Sequence, residues 1–202
     1  MPHYTEFIRP ITTSQEIDQA EETLSWVVRY SNLKTEPFVV TFKQEGWVAV
    51  PVQKYSHIVL MNQEQLQQVF LARGYTEMVS VALDVWGYSP TIYVVPTTIE
   101  GIEEFNRSWS FFTCALFAGK PDWVIIFVDD VFDVVAGTVD FIRQLLGCEI
   151  EEGFSRFNDF IASYHPLVES YKEHLAFVHN NLQNNYPSAE VGAEFQLMYF
   201  QR

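Results

Sequence analysis

The chain has 202 residues, of which 48% are hydrophobic and 16% aromatic, a composition that supports a dense core and excludes a disordered chain. Its 26 acidic and 12 basic residues give a formal net charge of −14, and a field of that sign repels phosphate backbones and anionic lipids. The opening residues Met1–Pro10 do not predict a signal segment, and no apolar run approaches the roughly 20 residues needed to span a bilayer. We therefore expect a soluble cytoplasmic protein, folded as one domain over residues 1–202, that binds neither nucleic acid nor membranes.

A capping box, Thr13-Ser-Gln-Glu16, predicts the start of the first helix. Apolar residues recur after it at helical spacing, and acidic residues occupy the positions that would face water. This helix is predicted to run to about Tyr30.

A hairpin is predicted next, because two apolar runs flank the sequence Lys-Gln-Glu-Gly. The runs are Phe38–Phe42 and Trp47–Val52, with Gly46 available for positive φ in the turn. Proline lacks the N–H that a central strand needs, so Pro51 predicts an edge position or a strand end.

Residues 58–107 predict strands and helices in alternation. Ile58–Met61 is a candidate strand, and a helix capped by Asn62 is expected to end before Gly74. Met78–Trp86 and Thr91–Val95 are predicted to be strands joined by a Gly-Tyr-Ser-Pro turn. Thr98 then precedes a helix. The next stretch, residues 108–117, fits either an extension of that helix or a buried strand.

The segment from Asp122 to Gly147 predicts the folding centre. Two apolar runs, Trp123–Val128 and Phe132–Ala136, surround an Asp-Asp pair that is typical of a turn, which indicates a second hairpin. Thr138 is positioned to cap a short helix, and Gly147 stands where a left-handed C-cap is expected.

Two helices and a strand complete the predicted elements. One helix extends from Ile150 to Tyr164, and another begins at Pro166. Alternating apolar residues between Val191 and Tyr199 predict a half-buried strand that joins the sheet. Because hairpins outnumber strand–helix–strand units, the expected class is α+β, a mostly antiparallel sheet with helices packed on it.

Four aspartates surround the second hairpin: Asp122, Asp129, Asp130 and Asp133. Clustered carboxylates can hold a hard cation, but the pattern lacks the alternating ligands of a calcium loop. Turn-forming, solvent-exposed aspartates are the favoured interpretation.

His165, Glu169 and Glu173 lie at successive i, i+4 positions along a predicted helix face. This spacing would let them share a ligand, but the chain contains no His-Glu-x-x-His and no Cys-x-x-Cys pattern. A solvated helix face is the favoured interpretation. We predict no metal site and no cofactor.

No catalytic nucleophile is indicated. The sequence contains no Gly-x-Ser-x-Gly elbow and no Walker or dinucleotide-binding loop. Cys114 lies in an apolar stretch and Cys148 precedes three glutamates, so both settings disfavour a reactive thiolate. We expect both thiols to be reduced and unlinked.

Two functional hypotheses follow. The first is an acidic, non-enzymatic interaction module, an adaptor or inhibitor, that binds a basic protein. Residues 99–170 carry 13 acidic and 4 basic residues, which indicates either a solvated acidic surface that keeps the protein soluble or a surface that steers a basic partner. The alternative is a small hydrolase or ligand-binding domain that uses carboxylates, with His165 as an additional candidate. The predicted binding residues are Asp129, Asp130 and Asp133 together with the turn aromatics Trp47, Trp86 and Tyr88.

Overall fold

The computed structural model describes residues 6–30, 38–42, 44, 46–54, 63–83, 92–108, 113–128, 131–163, 169–184 and 194–197. The helices in this part of the chain are α1 (Ser14–Val27), α2 (Gln63–Ala72), α3 (Ile99–Ser108), α4 (Val139–Leu146), α5 (Ile150–Ser163) and α6 (Glu169–Asn184). The strands are β1 (Arg9–Pro10), β2 (Val28–Tyr30), β3 (Phe38–Phe42), β4 (Trp47–Gln53), β5 (Glu77–Ala82), β6 (Ile92–Pro96), β7 (Cys114–Phe117), β8 (Trp123–Phe127), β9 (Phe132–Thr138) and β10 (Glu194–Leu197).

The strands form two antiparallel sheets. The larger has the order β1-β6-β5-β7-β8-β9-β4, and the smaller has the order β10-β3-β2. Helices pack on these sheets, so the predicted α+β class with a mostly antiparallel sheet is confirmed.

The hairpin β8–β9 lies within the core, as its sequence predicts. All five residues of β8 are buried, which requires that both faces of the strand be covered, because successive side chains point to opposite faces. The indole of Trp123 stacks on Phe70 of α2 and Phe141 of α4, with ring centroids 4.6 Å and 5.2 Å away. Gly137 lies opposite Trp123, and a Cβ there would come within 2.7 Å of the Asp122 carbonyl oxygen. Only glycine permits this close approach.

Helix ends follow the predicted capping signals. The Thr13 side chain accepts a hydrogen bond from the Glu16 N–H, and the Thr138 side chain accepts one from the Phe141 N–H. Gly147 adopts a left-handed conformation, with φ of 64°, and ends α4.

The predicted first hairpin is wrong. Phe38–Phe42 pairs with β2 and β10 in the smaller sheet, whereas Trp47–Gln53 pairs with β9 in the larger one. Gly46 does adopt a positive φ of 74°, but it lies between strands of different sheets. The first helix also ends at Val27, three residues before the predicted end, because the chain continues as β2 and pairs with β3.

Other expectations concern strand positions. Pro51 lies in β4 at the edge of the larger sheet, as predicted. Residues 108–117, for which the sequence left a helix and a strand open, contain both, since α3 extends to Ser108 and β7 begins at Cys114. The C-terminal strand pairs with β3 and so joins the smaller sheet. The candidate strand Ile58–Met61 lies outside the described residues.

Candidate interaction surface

The carboxylates Asp122 and Asp133 lie at opposite ends of the β8–β9 hairpin. Asp122 directly precedes Trp123 at the start of β8, while Asp133 pairs in register with Phe127 at its end. These two residues therefore form no common cluster. Asp129 and Asp130 lie outside the described residues.

Asp122 is bound by two side chains that follow α2. Its Oδ2 lies 2.6 Å from Nη1 of Arg73, and its Oδ1 accepts a hydrogen bond of 3.0 Å from the Tyr75 hydroxyl. Burial, and then the hydrogen bond to Asp122, raise the pKa of Tyr75. The guanidinium of Arg73 also lies 4.9 Å from the centroid of the Phe141 ring. Asp122 thus connects the hairpin to the residues that directly follow α2.

Asp133 is buried, which corrects its prediction as a surface-exposed turn residue. Its Oδ1 lies 3.8 Å from Nζ of Lys54, and only 1% of either side chain is exposed. Lys54 also lies over the ring of Phe127, 5.9 Å from its centroid. An acid in a strand covered on both faces needs an internal countercharge, and Lys54, the residue after β4, supplies one. Asp133 cannot face a partner protein.

Other acids of residues 99–170 are also bound internally. Glu149 lies 2.7 Å from Arg143, and Glu152 pairs with Arg156 one turn later on α5. Glu104 is 8% exposed and accepts hydrogen bonds from backbone N–H groups. The surplus of acids in this region therefore overstates the negative charge it presents to solvent.

Helix α1 presents its carboxylates to solvent instead. Asp18, Glu21 and Glu22 are exposed, and no hydrogen bond or ion pair joins their side chains to the described residues. The helix contains four acids and no base. Its fourth acid, Glu16, is held by the Thr13 hydroxyl at 2.6 Å and by Arg9 at 3.4 Å.

A half-exposed tryptophan lies on this acidic face. Trp26 is 50% exposed and stands one helical turn after Glu22, which in turn follows Asp18 by one turn. The opposite face of α1 is buried through Ala20, Leu24 and Val27. The sequence prediction missed Trp26 because this residue lies outside the apolar stripe that the helical period assigns to the core. An aromatic residue at a position that the helical period assigns to solvent is the signal that identifies it.

The predicted turn aromatics have different positions. Trp47 is half-buried at the start of β4 and packs against the hydrophobic core, so it covers the core edge. Trp86 and Tyr88 lie outside the described residues.

The histidines of α6 are core residues. His174 and His179 are 5% and 7% exposed. His179 lies with Nε2 3.2 Å from the Phe154 carbonyl oxygen, and its ring stacks on Phe157. His165 lies outside the described residues, and Glu173 is exposed on α6. Within the described part of the chain, no three His, Cys, Asp or Glu side chains are grouped to hold a metal ion.

Both cysteines are free, as predicted. Cys148 lines a cavity of about 70 Å³ between β4 and α5, together with Pro51, Phe157 and Arg156. Burial raises the pKa of its thiol, which disfavours the nucleophilic thiolate. Cys114 is buried in β7.

A comparison of the chain with models of protein families, with curated proteins and with solved structures finds no match. Among the helices that the structure describes, none has the length and apolar character needed to cross a membrane.

Proposed function

We propose that the protein is a non-enzymatic interaction module that binds a basic protein through the outward face of α1. The observation that carries this proposal is the combination, on one helix face, of a half-exposed tryptophan with three carboxylates that have no partner among the described residues. Carboxylates without local countercharges attract a basic partner over several ångströms and raise its association rate. A tryptophan on the same face provides the apolar contact that holds a partner after the encounter.

The chemistry of this face favours arginine over lysine in the partner. Glu22 and Trp26 are four residues apart on α1, so their side chains are neighbours on the helix surface. A guanidinium can stack on an indole while it donates two parallel hydrogen bonds to a carboxylate, whereas an ammonium is a strongly hydrated point charge. We therefore expect an arginine-bearing segment of the partner to contact Glu22 and Trp26.

Two other half-exposed apolar side chains serve as internal comparisons. Leu71 on α2 is 49% exposed and Phe177 on α6 is 50% exposed, values close to that of Trp26. Helix α2 has a single acid, Glu64, and α6 carries Lys172 beside Glu173. The exposed Glu173 lies four residues before Phe177, as Glu22 does before Trp26, whereas Gln67 has that position before Leu71. Leu71 is therefore the matched control for Trp26.

Binding to defined peptides tests the proposal. Three synthetic peptides of one design would carry repeated arginine, lysine or glutamine, and their binding to the full chain would be measured by calorimetry and stopped-flow fluorescence. We expect the arginine peptide to bind most tightly. Its association should slow as salt rises from about 50 to about 500 mM, because the Debye length shortens. Trp26→Ala should weaken binding by about tenfold, as for a central aromatic anchor, whereas Leu71→Ala should leave binding unchanged.

Charge reversal separates steering from anchoring. Glu22→Lys should slow association, and the same reversal at the exposed Asp159 of α5 should have little effect. If none of the peptides binds, or if the Trp26 and Leu71 variants bind equally, the proposal is wrong. Equal effects of the two charge reversals would show that only net charge matters and that α1 is not the binding surface.

A further inference from the structure

The carboxylate of Glu104 accepts hydrogen bonds from three consecutive backbone N–H groups. These belong to a segment almost a hundred residues earlier in the chain. Its Oε1 accepts from Glu6 at 2.7 Å, and its Oε2 accepts from Phe7 at 2.7 Å and from Ile8 at 2.8 Å. The residue belongs to α3 and is 8% exposed. One carboxylate thus satisfies three donors that a short segment outside any helix would otherwise leave without a protein acceptor.

The segment that follows covers the edge of the larger sheet. Arg9 and Pro10 form β1, which is only two residues long, and the N–H of Ile11 donates to the Ile92 carbonyl at 2.9 Å. Ile8 and Ile11 are 2% and 5% exposed, so they belong to the core. A two-residue strand provides few ladder hydrogen bonds, and the attachment therefore depends on Glu104 and on these two side chains.

We propose that Glu104 is a proton-controlled latch. As a carboxylate it holds residues 6–8 against α3 and keeps residues 9–11 on the outer edge of β6, and on protonation it releases them. The inference is independent of the proposed binding function, since it rests on other residues. Release would uncover the backbone of β6 and the sites that Ile8 and Ile11 fill.

Release on protonation is expected because the proton changes which hydrogen bonds the Glu104 carboxyl group can form. An ionised carboxylate only accepts hydrogen bonds, whereas the protonated acid presents an O–H that competes with the backbone N–H groups. Burial acts to raise the pKa of Glu104, but the hydrogen bonds from Ile8, Glu6 and Phe7 outweigh it, and the pKa lies below its ordinary value of 4.5. The contribution of the latch to stability is therefore complete above about pH 4.5 and is lost as pH falls through the lowered pKa.

Few other charges act on this carboxylate. Arg107, on the same helix, lowers the pKa of Glu104 further. The remaining charged residues of α3 are Glu100 and Glu103, and those of the described segment are Glu6 and Arg9. Arg9 pairs with Glu16 of α1. The adjacent strand β6 contributes no charged residue, and burial raises the pKa of its Tyr93. Helix α2 also packs on α3, and its charged residue is Glu64.

The test compares two isosteric substitutions in adjacent residues of the full chain. Glu104→Gln removes the charge and replaces one of the two acceptor oxygens by an amide N–H₂, while Glu103→Gln makes the same chemical change at an exposed position. Amide hydrogen exchange at pH 7 reads out the two variants residue by residue. In Glu104→Gln we expect protection of the amides of residues 6–8 and of Ile11 to fall by about tenfold or more, since hydrogen bonds to a charged group are lost. Protection in β7 and β8 should persist, and Glu103→Gln should match the unsubstituted protein.

A pH titration of the unsubstituted protein supplies the second measurement. The amide proton shifts of Glu6, Phe7 and Ile8 should change together, with one midpoint below pH 4.5. They should be independent of pH in Glu104→Gln, and this readout remains available if that variant loses stability elsewhere. Unchanged protection in Glu104→Gln, or three amides that titrate with different midpoints, would overturn the proposal.

Discussion

Helix α1 and the β8–β9 hairpin with its flanking Asp122 both carry acids, but their carboxylates have opposite environments. Asp122 is bound by Arg73 and Tyr75, and Asp133 is buried against Lys54. In α1, Asp18, Glu21 and Glu22 face water and have no such partner among the described residues. The difference follows from burial, because a strand covered on both faces cannot hold a bare charge, whereas the outer face of a helix can.

The comparison shows that a count of acids along the chain is a poor guide to the field at the surface. Residues 99–170 carry the larger surplus, but Asp122 and Asp133 there pair with bases from outside the region. Asp18, Glu21 and Glu22 of α1 have no such pairs among the described residues. Carboxylate substitutions in α1 and in the hairpin should therefore have different consequences. Four predictions follow, from the largest expected effect to the smallest, and the helix caps among them are a control that should respond equally in both.

The buried pair should give the largest effect. Asp133→Ala is expected to lower the free energy of unfolding by about 3–5 kcal/mol, because Lys54 would lose the carboxylate beside it in the core. Asp159→Ala, at an exposed position of α5, should change it by less than about 0.5 kcal/mol. Urea denaturation measures both. The double variant Lys54→Met/Asp133→Leu should recover much of the lost stability. If Asp133→Ala loses no more stability than Asp159→Ala, the predicted difference between buried and exposed carboxylates is wrong.

Asp122 should give an intermediate effect. Asp122→Ala removes the contacts with Arg73 and Tyr75, and we expect a loss of about 1–2 kcal/mol, reduced because both charged groups are partly exposed. The same variant should lower the pKa of Tyr75 but leave the part caused by burial. The neutral phenol is the favoured form, so this contribution is present below about pH 10 and is lost as pH rises through the raised pKa. Nuclear magnetic resonance titration of Tyr75 measures this change in pKa. A titration of Tyr75 that is the same in Asp122→Ala would show that Asp122 does not raise the pKa of Tyr75.

The helix caps should have equal effects in the two regions. Thr13→Ala removes the cap of α1 and Thr138→Ala removes the cap of α4, and each should cost about 1 kcal/mol. Thermal unfolding checks both, with Thr13→Ser and Thr138→Ser as controls that retain the hydroxyl. A Thr13→Ala variant as stable as Thr13→Ser would show that the Thr13 hydroxyl does not stabilise α1.

A glutamate-to-lysine substitution should change the free energy of unfolding in opposite directions in α1 and α5. Glu22→Lys replaces a like-charge i, i+4 contact with Asp18 by an attractive one, and should stabilise the protein by roughly 0.5 kcal/mol. Glu152→Lys makes the reverse change beside Arg156 and should destabilise it by a similar amount. Chemical denaturation of the two variants in parallel measures the difference. The same sign in both would mean that local pairing does not decide the effect.

Local signals in the sequence determined many of the elements of this protein. The threonine caps, the apolar period of the helices, the β8–β9 hairpin and the glycine that ends α4 all follow from interactions over a few residues. The edge position of β4 also follows from a local property, the missing N–H of Pro51. These features could be predicted because each depends on neighbours that the sequence displays directly.

Tertiary structure decided the pairing of strands and the fate of each carboxylate. Phe38–Phe42 and Trp47–Gln53 have the pattern of a hairpin, but strands from elsewhere in the chain divide them between two sheets. In the same way Lys54 reaches Asp133, and Glu104 reaches residues 6–8. Such contacts join residues tens of positions apart, and no periodicity or spacing encodes them. The helical period places Trp26 on the outer face of α1, but whether its side chain remains in solvent also depends on what the rest of the chain packs against it.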